Sequence, residues 1–129
     1  MFQSINIAID ISSAVLLRDA GCSINTDFIM AYFSDETKLA VWNKAQIVAN
    51  NDPAVWRKDQ CGAWIGWNYY GNRNSQYGWE IDHITPVSKG GFDNLSNLRP
   101  LQWENNAARQ DDRLCCKITS FGDKNIEKK

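Results

Sequence analysis

The stretch Trp79-Glu80-Ile81-Asp82-His83-Ile84-Thr85-Pro86-Val87-Ser88-Lys89-Gly90-Gly91 decides how this chain reads, together with Asn97-Leu98-Arg99-Pro100-Leu101 and the run from Gln102 to Asp112. From Trp79 to Ile84, large apolar residues alternate with the acids Glu80 and Asp82, the period-two pattern of a strand. Lys89-Gly90-Gly91 interrupts it as a loop. Asn97 to Leu101 reads as a second short strand, which Pro100 confines to a sheet edge. Gln102 to Asp112 has no helix breaker and holds Ala107 and Ala108, so it reads as a helix.

That order of elements brings Asp82, His83 and Asn106 within reach of one another. His83 is the only histidine of the chain. A carboxylate oxygen and an amide oxygen are hard ligands suited to Mg²⁺ or Mn²⁺, with water and phosphate oxygens completing the shell. An imidazole left off the metal can take a proton from water, because its pKa lies near neutrality. An Asp-His pair alone often serves structure; the strand, loop, strand and helix around it point to chemistry.

With these residues in view, the stretch from Trp79 through Asn97-Leu98 to Asn105-Asn106-Ala107-Ala108-Arg109 resembles the HNH endonuclease motif. The shared features are Asp-His followed by Pro86, the Gly-Gly loop, Asn-Leu opening the second strand, and an Asn followed three residues later by a basic side chain. Weaker similarity to small stand-alone HNH proteins runs upstream through Trp42, Trp56, Arg57, Asp59, Cys61 and Gly62. The resemblance spans roughly residues 36–112 and leaves the first 34 uncovered.

It implies an α+β fold built on a ββα-metal finger, with short antiparallel strands and flanking helices, cutting phosphodiester bonds. It further implies His83 as general base, Asp82 and Asn106 as metal ligands, and Asn97 as a brace for the loop between the strands. Asn105 competes with Asn106 for the ligand role; Asn106 is preferred because Arg109 follows it at helical i+3 spacing and can reach a phosphate on the same face. Arg99 and Lys89 flank the site and read either as phosphate contacts or as solvated surface charge, as does Arg57-Lys58. Asp93 reads as a residue that caps or pins the loop, and Glu80, on the strand face of Asp82, as a supporting acid. The cysteine pairs that staple many HNH domains with zinc are absent, so no structural zinc is expected and the tryptophan-rich core must hold the finger. The implied partner is DNA, double-stranded by preference. The alternative is a non-catalytic nucleic-acid-binding module that keeps the scaffold.

Composition agrees with a single domain: 129 residues, 43% hydrophobic and 22% charged, outside the ranges of disordered or collagen-like chains. The longest apolar run, Phe28 to Phe33, is far below the ~20 residues that span a bilayer, so no membrane partner is expected. Residues 1–50 hold three basic against five acidic groups, and the remainder eleven against ten. Neither part carries the basic footprint of a tight DNA binder, so phosphate binding has to be local or metal-assisted. Four cysteines at 22, 61, 115 and 116 make no C-x-x-C pair and read as free thiols in a cytoplasmic protein. A bridge from Cys61 to the tail, in a secreted effector, is the other reading.

Outward from the motif, all six tryptophans fall between positions 42 and 103 and read as core. Ser34-Asp35-Glu36 opens a helix whose apolar face is Leu39, Trp42 and Ala45, ending by Asn50-Asn51-Asp52-Pro53. Cys61 to Trp67 is extended, and Tyr70 to Ser75 a turn. Ile5 to Ile11 alternates as a strand, and Ser13 to Ala20 follows as a short helix stopped by Gly21. The chain therefore divides into an accessory extension (1–34), an HNH domain (35–113) and a C-terminal tail (114–129), frayed from Asp123 onward. Everything informative lies after Met30, which could itself be the start.

Overall fold

Ser34 opens the first helix of the computed structural model, which describes residues 32–110 and 113–129. Its hydroxyl accepts a hydrogen bond from the Thr37 amide at 3.1 Å, satisfying one of the donors a helix start leaves unpaired. This helix, α1 (Asp35–Trp42), stops well short of Asn50. After Asn43 the chain doubles back, with the amides of Lys44 and Ala45 bonded to the carbonyls of Val41 and Trp42. The turn changes which residues are buried: Val41, Trp42 and Ala45 enter the core, while Leu39 stays half exposed.

Among the described residues, three two-stranded antiparallel sheets follow: β1 (Trp56–Lys58) with β2 (Trp64–Gly66), β3 (Trp79–His83) with β4 (Leu98–Gln102), and β5 (Ile118–Phe121) with β6 (Lys124–Glu127). The register of the middle pair sets Asp82 opposite Arg99 and His83 opposite Leu98. A second helix, α2 (Trp103–Ala108), leaves β4 directly, giving the expected β-β-α order within an α+β fold. The Gln102 side chain caps α2, accepting from the amides of Glu104 (2.8 Å) and Asn105 (3.2 Å). The helix is shorter than the run to Asp112 suggests. Arg109 adopts an extended conformation and ends it, turning back so that its guanidinium reaches β3.

The core is aromatic. Trp42 packs at a tilt against Trp79 (5.2 Å between ring centroids) and edge-on against Trp67 (5.6 Å), closed in by Ile65, Ile81 and Leu98. Removing Trp42, fully buried, would cost about 3–5 kcal/mol. Arg57, read as a phosphate contact or as surface charge, is instead buried: its guanidinium donates to the carbonyls of Pro53, Asn43 and Ala45 and locks α1 to β1.

Two expectations are overturned at the C-terminus. Residues from Asp123 on are not frayed: Gly122, at φ +62°, turns β5 into β6. The Asn125 amide serves the Trp64 backbone like a neighbouring strand, accepting from its N–H (2.7 Å) and donating to its carbonyl (2.9 Å). Polar composition hid this hairpin, because hydrogen bonds rather than an apolar face hold it. Nor are the cysteines all free thiols: Cys61 and Cys116 form a disulfide, 5.2 Å between Cα atoms, tying the β1–β2 loop to the segment before β5. Among the described residues, no helix is long and apolar enough to cross a membrane. The strand at Ile5–Ile11 and the helix at Ser13–Ala20 lie outside the described residues.

Candidate active site on the ββα finger

Alternation along β3 separates two tasks. Trp79 and Ile81 point into the core, and Glu80 and Asp82 share the other face, both buried. A buried carboxylate needs partners to remain ionised. Each oxygen of Asp82 holds an arginine: Arg99 Nε on Oδ2 and Arg109 Nη1 on Oδ1, both at 2.8 Å. The first partner follows from the strand register, the second from the end of α2. Arg109 also donates to the carbonyls of His83 and Ile84. Glu80 is clamped by Arg73, with Nε on Oε2 at 2.7 Å and Nη2 on Oε1 at 3.0 Å. Tyr70 lies nearby, its hydroxyl pushed up from its ordinary pKa by burial first and by the Glu80 charge second.

The two neighbouring asparagines of α2 do different things. Asn105 is fully buried; its Nδ2 donates to Asp59 Oδ2 and to the Ile118 carbonyl, both at 3.0 Å, and its Oδ1 accepts from the Ile118 amide at 2.7 Å. Asn106 faces β3, where its Nδ2 donates to Glu80 Oε1 at 2.7 Å. A carboxylate only accepts, so the amide must turn its nitrogen to Glu80 and its oxygen away. That Oδ1 carries no hydrogen bond among the described residues.

His83 closes β3 with its ring 6.0 Å from that of Phe33 and its Nε2 2.6 Å from Asp93 Oδ1. The intervening loop is pinned by Asn97. Its Oδ1 accepts from the Thr85 amide (2.8 Å), and its Nδ2 donates to the carbonyls of Phe92 (2.9 Å) and Thr85 (3.1 Å). Gly91 is required here, since a Cβ would stand 1.8 Å from the Thr85 carbonyl oxygen. Lys89 is exposed in the turn Val87–Lys89.

Sequence reasoning underrated three residues. Glu80, read as a supporting acid from its i, i+2 spacing to Asp82, is the direct partner of Asn106. Asp93 meets the histidine itself. Arg73 gave no signal, because the loop that returns it to Glu80 has no period to read.

The donor chemistry is that of a hard divalent cation: Asp82 offers carboxylate oxygens, each with a lone pair beyond its arginine bond, and Asn106, held on the neighbouring Glu80, an unspent amide oxygen. Among the described residues there is no group of three or more His, Cys, Asp and Glu that could hold a metal, so a site here would draw on the Asn106 amide and on water besides Asp82.

No curated protein and no solved structure matches the chain. Residues 66–108, from the end of β2 to the end of α2, match the family model described as HNH endonuclease.

Proposed function

We propose that the protein is a metal-dependent endonuclease that hydrolyses phosphodiester bonds of double-stranded DNA. The observation that carries the reading is that Asn106 bonds Glu80, which shares its face of β3 with Asp82, while the only histidine of the chain stands at the end of that strand. His83 takes a proton from the attacking water. The new P–O bond forms as the bond to the 3′-oxygen breaks, leaving a 5′-phosphate and a 3′-oxygen that takes a proton from solvent to become the 3′-hydroxyl. Asp82 and Asn106 would hold Mg²⁺ or Mn²⁺, which supplies a positive centre for the charge developing on the leaving oxygen. Arg99 and Arg109, beside Asp82, and the exposed Lys89 would meet phosphate. Asn97 keeps the loop, and with it the base, in place.

The catalytic groups all lie within 35–113, with 1–34 as an accessory extension; the segment 114–129 is tied to α2 by the Ile118 backbone on Asn105 and to β2 by Asn125 on Trp64. The Cys61–Cys116 bridge supports an oxidising, extracellular setting over a cytoplasmic one. One observation favours a second reading, a nucleic-acid-binding module without catalysis: both Asp82 oxygens already hold arginines. Incubating supercoiled plasmid with the protein, with Mg²⁺ or Mn²⁺ and then with EDTA, separates the two. Metal-dependent nicked and linear products support the nuclease; binding without cleavage supports the module.

A further inference from the structure

An imidazole has two nitrogens, and His83 commits one of them. Nε2 lies 2.6 Å from Asp93 Oδ1, while Nδ1 makes no hydrogen bond among the described residues. A carboxylate has no hydrogen to give, so in the neutral ring this contact exists only with the proton on Nε2. The lone pair is then on Nδ1.

Asp93 is three-quarters exposed, yet its backbone is not free. The carbonyl of the preceding residue, Phe92, is held by Asn97 Nδ2, and Gly91 two positions earlier is bonded through its amide to Pro86 at 3.0 Å. The same Asn97 side chain holds Thr85, two residues beyond His83, through both backbone groups. One asparagine thus sets the histidine and the aspartate against each other, and Phe33 lies against the imidazole.

We infer that Asp93 is a positioning residue for the base: it keeps His83 in the Nε2–H form, with Nδ1 turned to the attacking water. The inference rests on the nuclease reading above. In the step it describes, the water O–H bond breaks and its proton goes to Nδ1, while the oxygen bonds to phosphorus and the P–O3′ electron pair leaves with the 3′-oxygen. The imidazolium so formed keeps Nε2–H on Asp93, which balances its charge.

Because His83 is the only histidine, its ring nitrogens can be followed without ambiguity by ¹⁵N NMR on the full chain, beside steady-state cleavage of plasmid with Mn²⁺. In the wild type, Nε2 should be protonated, its hydrogen visible and shifted as for a carboxylate partner. Asp93→Ala should lose that resonance to solvent exchange, and kcat should fall about tenfold, a part of the ~10²–10⁴-fold that acid–base help supplies. KM for DNA should hold, and Asp93→Glu should recover part of both signals. An unchanged resonance and kcat in Asp93→Ala would overturn the role, as would a rise in KM at constant kcat, which marks a DNA contact. A wild type that cleaves with an unbonded ring overturns this inference alone. A wild type that holds the bond but never cleaves overturns the nuclease reading, and the role with it.

Discussion

Asn105 and Asp59 stand 46 positions apart and meet in the interior through a 3.0 Å hydrogen bond. Asp59, fully buried, also accepts from the amides of Cys61, Ala63 and Gln102. One carboxylate therefore ties the β1–β2 loop to both the end of β4 and α2. Where zinc staples other fingers, this chain uses an acid with four donors, alongside the tryptophan core. Asp59→Ala would strand those donors in the interior and should lower stability by about 3 kcal/mol, read as a drop in the urea midpoint.

The same carboxyl gives a pH dependence. Burial pushes Asp59 up from 3.8, while the hydrogen bonds from Gln102, Asn105, Ala63 and Cys61 pull it down less strongly. A group raised on folding binds its proton more tightly in the native state, so its extra stability is full below pH 3.8 and is lost as pH rises through the folded value. The stability gap between wild type and Asp59→Ala should narrow as pH rises from 3.8 toward neutrality. A gap that widens over that range would reverse the assignment.

The asparagine pair predicts a split between folding and metal binding. Asn105→Ala should destabilise the fold by about 2 kcal/mol, for its lost buried hydrogen bonds, and leave Mn²⁺ affinity near wild type. Asn106→Ala should do the opposite: little change in Tm and a weaker Mn²⁺ isotherm by calorimetry. If Asn105→Ala lowers affinity the more, the ligand register on α2 is off by one residue.

The disulfide encloses a long stretch of chain, with its cysteines 55 positions apart. Chain-entropy arguments give such a loop about 4 kcal/mol of stabilisation. Cys61→Ser should lower the Tm by several degrees in non-reducing buffer, and the variant should be less sensitive to dithiothreitol than the wild type. Equal sensitivity would place the stabilisation elsewhere.

Legibility followed periodicity and short range. Trp79 to His83 alternates, Gly90-Gly91 punctuates and Leu98 to Gln102 precedes a breaker-free run, so the finger and the place of His83 on it were readable. Asn97 was readable as a brace because its motif position fixes it next to the loop. The Asp59–Asn105 tie, the Arg73–Glu80 clamp and the Asn125–Trp64 pairing were not, since each joins polar residues across long separations with no repeat to announce them. Leu39 misled because a helical period says nothing of where the helix stops, and Cys61 because no spacing rule pairs it with Cys116.

The central claim is that His83 is the base of a metal-dependent phosphodiester cleavage, and purified His83→Ala on supercoiled plasmid with Mg²⁺ or Mn²⁺ tests it most directly. The expected result is cleavage slowed by ~10²–10⁴-fold with Tm and Mn²⁺ binding kept. Since the chain holds no second histidine to stand in, near-wild-type nicking by that variant would contradict the account.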